Sequence, residues 1–222
     1  MRLSLYRWQL RWYSKILIMS LKRIALIVDG PTEEGSIRAK FNMTFHECPE
    51  IRNGPGNGIT FSAEGYAKGV LPTLKLLLKT DIRAVILLPD LEKRKISVDA
   101  FSKQLKEEVI KSILIDSTYT KEYLDEIIHV CPPDIMFENW IISDIEGIKS
   151  CTDLIKEDSI QDRFDGKNGS SELQKNMITR YKKTVHAKQL FKKTREVESK
   201  NNSPSFDKFH TVFNELKEKY CH

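Results

Sequence analysis

The chain has 222 residues, 40% apolar and 30% charged, which is enough to bury a sizeable core and excludes a disordered chain. Lys and Arg number 36 against 31 Asp and Glu, a net +5 that is too mild to name a partner, but its distribution is uneven: about +6 over residues 1–25, about −7 over 26–160 and about +6 over 161–222. An acidic body between basic ends suits a carboxylate site that holds cations while its surroundings attract a polyanion, and it equally suits solvated basic helices.

In chain order, Arg2, Arg7, Arg11 and Lys15 interrupt the apolar residues of the first segment, so it contains no secretory or membrane-spanning run, and a cytoplasmic chain with no membrane partner is expected. Trp8, Trp12 and Ile16 would share one face of a basic amphipathic helix. Met19 opens MSLKRIALIVDG immediately before the first predicted strand, so residues 1–18 are expected to be a non-native upstream extension. The cysteines Cys48, Cys131, Cys151 and Cys221 include no C-x-x-C pair, which predicts reduced thiols rather than a zinc ribbon or a disulfide framework.

RIALIVD, Arg23 to Asp29, reads as a buried parallel strand that ends in an acid and a Gly turn. A helix should follow, with Thr32 as its cap and Glu33 and Glu34 in its first turn. NGPGNG, residues 53–58, reads as a loop without the Gly-Lys-Ser/Thr ending of a P-loop. Ser62 to Lys79 reads as a helix interrupted near Leu71-Pro72, and RAVILLP, Arg83 to Pro89, as a second buried strand leading into Asp90 and Glu92. Helix is predicted from Val98 to Ile113 behind a Ser97 cap, strand near Ile127 to Cys131, and helix again from Ile135 to Ile142. Residues 166–175 read as a loop, and the remainder as basic helix, ending in Pro204 to Tyr220 behind a Ser203 cap. The alternation predicts an α/β fold with a mostly parallel, Rossmann-like sheet flanked by helices over residues 20–160, and a basic helical region, 161–222, packed on it.

Two buried strands that each deliver carboxylates to the C-terminal edge of such a sheet place them where ligands bind in open α/β folds. Asp29 and Glu33 flank a Gly bend, while Asp90 and Glu92 share a side if the chain stays extended between them. Strands about 4.8 Å apart would let the four carboxylates converge, and their repulsion calls for a cation. Hard oxygen donors without His or Cys select Mg²⁺ or Mn²⁺ over zinc.

The series VDGPTEE, LLPDLE, FENW, RYKKT and SPSF resembles the Toprim domain of topoisomerases, primases and the overcoming-lysogenization-defect nucleases. It is most similar to a small prokaryotic Toprim-like family regarded as a phage-defence component. That resemblance covers about residues 20–215 and implies metal-dependent phosphodiester hydrolysis of DNA or RNA, with Asp29, Glu33, Asp90 and Glu92 as ligands and one acid as general base. It adds Glu138, beside Trp140, as a fifth ligand, and sets Tyr181, Lys183, Ser205 and Phe206 in a C-terminal signature. Arg180, Lys182, Lys183 and Lys188 would contact phosphates or offset charge in the transition state, and a partner ATPase is a further implication. Toprim domains usually carry Glu where this chain has Asp29, and often Asp where it has Glu92. The alternative that this departure leaves is an inactive module that binds nucleic acid, nucleotide or an ATPase.

Each residue also has a plainer use. Asp29 can be a turn or cap residue, Glu138 half of a salt bridge, and Trp140 a core side chain. Phe206, Phe209, Phe213 and Leu216 recur at a packing period.

Overall fold

The computed structural model describes residues 22–43, 48–55, 62–115 and 117–221. The expectations for residues 1–18 and the end of the NGPGNG loop lie outside them. Four parallel strands, β1 (Ile24–Val28), β2 (Glu50–Asn53), β3 (Ala84–Leu88) and β4 (Ile128–Val130), pair in the order β2-β1-β3-β4. Every side chain of β1 and β3 is buried, because helices cover both faces of the sheet, and this is why both strands read as unbroken apolar runs.

Alternate side chains feed two cores. Ala25, Ile27, Val85 and Leu87 meet α2 (Ala63–Leu77), α3 (Val98–Leu114) and α4 (Lys121–Ile127). On the opposite face, Ile24, Leu26, Val28, Ile86 and Leu88 meet α1 (Pro31–Lys40), α5 (Phe137–Ile142) and α6 (Ile145–Lys149). The same core takes in α7 (Gly169–Asn176), α8 (Lys183–Lys193) and α10 (Pro204–Tyr220), while α9 (Glu196–Asn202) packs on α10. The basic C-terminal helices therefore share the core of the sheet. Trp140 stacks on Phe209 with ring centroids 4.9 Å apart, Phe209 stacks on Phe213, and the Trp140 indole N–H donates to Ser205 Oγ at 2.9 Å. Burial of each large apolar side chain is worth about 1.5–3 kcal/mol, so this seam is a principal anchor of α10.

Local chemistry explains most boundaries. Ser62, Ser97, Thr120, Asn168 and Ser203 each cap a helix by accepting a backbone N–H. Thr32 does not cap α1: extended Gly30 is the cap residue and Pro31 takes the first helical position. Pro72 does not interrupt α2, because Pro72 and Lys68, whose carbonyl loses its partner, both lie on the exposed face where water replaces the bond. The expected loop at 166–175 contains α7, and the chain between Asp90 and Glu92 is not extended, since Glu92 has φ 49°. The four cysteines are not all reduced: Cys48 and Cys221, 173 residues apart, form a disulfide, leaving Cys131 buried and Cys151 exposed as free thiols. Among the described residues no helix is long and apolar enough to cross a membrane.

Candidate functional site

Because the chain leaves β1 towards β2 on one side and leaves β3 towards β4 on the other, the connections from these two neighbouring strands diverge, and a crevice opens at the carboxyl ends of β1 and β3. Asp29 follows β1 and Asp90 follows β3 at that crevice. Asp29 Oδ2 accepts the Asp90 backbone N–H at 2.9 Å, and Asp29 Oδ1 accepts the Tyr66 hydroxyl at 3.2 Å. Tyr66 reaches the end of β1 from α2 because residue 54 is glycine: a Cβ there would stand 3.0 Å from Tyr66 Oη and 3.1 Å from Val28 O. Both oxygens of Asp29 are thus engaged in joining β1, β3 and α2.

Asp90 is buried and tied twice. Its Oδ1 accepts the Phe137 N–H at 2.9 Å at the start of α5, and its carbonyl accepts from Arg94 Nη1 at 2.6 Å. Glu33 is buried in the first turn of α1, and Glu138 in the first turn of α5. In both places the helix dipole favours a negative charge. Glu138 Oε1 accepts the Tyr181 hydroxyl at 3.1 Å.

Into this group reaches Lys183, the first residue of α8, a helix that packs along α1. Its Nζ lies 2.5 Å from Glu33 Oε1, 3.7 Å from Glu138 Oε2 and 3.8 Å from Asp90 Oδ2. Three carboxylates from three elements therefore each turn one oxygen towards a single ammonium, while the other oxygens of Asp90 and Glu138 are held by the Phe137 N–H and the Tyr181 hydroxyl. Beside them a cavity of about 330 Å³ is lined by Glu92, Lys93, Met136, Asn168 and Lys183, with Asp90 and Glu138 in its wall.

The charges are unevenly balanced. Burial, with Glu33 and Glu92 adding to it, pushes Asp29 up to about 6 against the Asp90 N–H and the Tyr66 hydroxyl. Burial and then Asp29 hold Asp90 well above the usual carboxylate range, with Lys183 opposing. Burial disfavours the Lys183 ammonium, but Asp90, Glu138 and Glu33 together outweigh it and raise its pKa. Tyr181 is likewise raised, by burial and Glu138, and stays a hydrogen-bond donor.

Of the residues singled out from sequence, Glu33, Asp90, Glu138 and Lys183 meet at one point. Asp29 buttresses them from the strand end. Glu92 is exposed at the cavity rim, because its left-handed backbone turns the chain and its N–H donates to Ile135 O. Arg180, Lys182 and Lys188 stay on the surface. Tyr66 and Arg94 escaped sequence reading. A tyrosine inside an amphipathic helix carries no sign that its hydroxyl reaches a strand end, and Arg94 looks like one of several charges in a loop.

The donor set is all carboxylate oxygen, buried, with one counter-charge among three carboxylates, and it fits a hard divalent cation in type and charge. Among the described residues no three Asp, Glu, His or Cys side chains stand as a ready ligand set, and the Lys183 ammonium lies among Glu33, Asp90 and Glu138. No family model, curated protein or solved structure matches this chain.

Proposed function

We propose that the chain is a Mg²⁺- or Mn²⁺-dependent nuclease of Toprim type, hydrolysing phosphodiester bonds of DNA or RNA. One observation carries the reading: Glu33, Asp90 and Glu138 direct one oxygen each to a single point at the crevice between β1 and β3. Those residues would hold the cation, with Glu92 at the rim. The cation would supply an activated water and polarise the phosphoryl oxygen. The chain's own groups do the positioning. The Phe137 N–H fixes Asp90 Oδ1, the Tyr181 hydroxyl fixes Glu138 Oε1, and Asp29 locks the backbone that carries Asp90. Lys183, which lines the cavity, can place its ammonium on a phosphate oxygen, and exposed Arg180, Lys182 and Lys188 favour a polyanion over a small phosphoester. A cytoplasmic setting enters this reading from the sequence expectation, and a partner ATPase and a part in antiviral defence through the resemblance alone.

A second reading, a binding module without catalysis, has its own observation. Asp29 holds the position where Toprim domains usually carry Glu, yet both its oxygens are spent on Asp90 and Tyr66, so the reach lost with the shorter side chain is not recovered. Supercoiled plasmid, single-stranded DNA and tRNA incubated with the protein in Mg²⁺ or Mn²⁺ separate the two. The nuclease reading expects cleavage that EDTA and Asp90→Asn abolish while the variant stays folded. Binding without cleavage, unaffected by EDTA, establishes the module.

A further inference from the structure

Resting on the reading that Glu33, Asp90 and Glu138 hold a divalent cation, we propose that the Lys183 ammonium is the built-in occupant of the cation position. Lysine and cation exclude one another there, and Lys183 sets the metal concentration at which the site loads. The ammonium lies 2.5 Å from Glu33 Oε1 and 3.7 and 3.8 Å from one oxygen each of Glu138 and Asp90, so its charge stands among the oxygens that a metal would need. The remaining oxygens of Asp90 and Glu138 accept from the Phe137 N–H and the Tyr181 hydroxyl, which fixes both carboxylates with their other oxygen turned to the ammonium. A divalent ion at the shared point would meet a like charge at bonding distance, and the two cannot stay together.

The side chain has somewhere to go. It is 38% exposed, stems from the first residue of α8 and lines the open cavity that also bears Lys93 and Asn168. Arg180, Lys182 and Lys188, its neighbours in the same basic stretch, lie on the surface. Without metal the ammonium relieves the repulsion of buried carboxylates. With metal it is released to the cavity, where a phosphate would meet it.

Mn²⁺ titrated calorimetrically into the full chain tests this, with thermal unfolding followed in the same samples for wild type, Lys183→Met and Lys183→Arg. Lys183→Met should bind Mn²⁺ about tenfold or more tightly than wild type, have a lower Tm without metal, and gain more Tm from Mn²⁺, whereas Lys183→Arg, which keeps the charge, should stay near wild type. Equal or weaker affinity in Lys183→Met, while wild type binds Mn²⁺, overturns the exclusion and leaves the metal reading standing. No Mn²⁺ binding by either protein overturns both. If Lys183→Met folds only with Mn²⁺ and unfolds on adding EDTA, the exclusion is supported. If it fails to fold even in saturating Mn²⁺, no cation replaces the ammonium and the proposal is overturned.

Discussion

Two buried aspartates in this molecule have opposite fates. Asp144, at the start of α6, is surrounded by donors: its oxygens accept the Gly147 N–H at 3.0 Å, the Arg195 Nη2 and Nε at 2.7 and 3.0 Å, and the Arg195 backbone N–H at 2.6 Å. Burial works against its charge, but Arg195 and these N–H groups win and hold its pKa below the ordinary value. Asp90, also buried, receives one backbone N–H and a share of one ammonium 3.8 Å away, and its carboxyl is held well above that value, by burial first and then by Asp29. A carboxylate that the chain satisfies completely is a structural joint between α6 and α8–α9. One left under-satisfied, beside others in the same state, has room for a charge from outside.

Breaking the satisfied joint should cost the most stability. Asp144→Ala strands the Gly147 and Arg195 N–H donors at a buried position, and we expect urea denaturation to report a loss of about 3 kcal/mol, with metal affinity unchanged in the folded protein. A loss under about 1 kcal/mol would remove the contrast on which the comparison rests. At the other region the sign reverses with pH. Asp29 titrates near 6 when folded against an ordinary 3.8, so between those values the folded state binds more protons than the unfolded one. Its contribution falls as pH rises through that window, by roughly 2–3 kcal/mol in all. Asp165, raised to about 6 by burial and Asp134, acts in the same direction. Asp29→Asn should therefore flatten, without abolishing, the loss of stability between about pH 4 and 6 in metal-free protein, read from urea midpoints. Asp144 behaves oppositely, since its stabilisation is present above its ordinary value and is lost as pH falls through its depressed one.

How much of this was legible in the sequence follows from which interactions are local. β1 and β3 announced themselves because both faces are buried, and the acids after them because a strand end is a local event. β2, Glu50–Asn53, left no trace, as an edge strand with Ile51 as its one buried residue has no periodicity to show. α7 looked like a loop because only Leu173 and Gly169 are buried in it, and Gly169 is required by its closeness to Asn139 N, which a Cβ would approach to 2.6 Å. The candidate site was legible as a set of acids, but not as a geometry. Asp29 pairs away from the shared point, Glu92 turns to the rim, and Lys183 arrives from α8, each decided by packing between elements far apart in the chain. Trp140 and the Phe206–Phe209–Phe213 stripe took the plainer role, because aromatic side chains at helical spacing satisfy themselves by burial.

The smallest effect on stability is also the sharpest test of what holds the site. Tyr181→Phe removes one hydroxyl, which donates to Glu138 Oε1. Its stability cost should be about 1 kcal/mol or less, since Glu138 keeps its place at the α5 terminus and can recruit water. Mn²⁺ affinity should nevertheless fall about tenfold, because Glu138 is then free to rotate the oxygen it turns to the shared point. Tyr66→Phe is the matched control: its hydroxyl serves Asp29, which does not face that point, so an equal stability cost should come with little change in affinity. If the two variants lose Mn²⁺ affinity alike, Asp29 belongs with the ligands after all. If neither loses any, the orientation of Glu138 has no part in holding the cation.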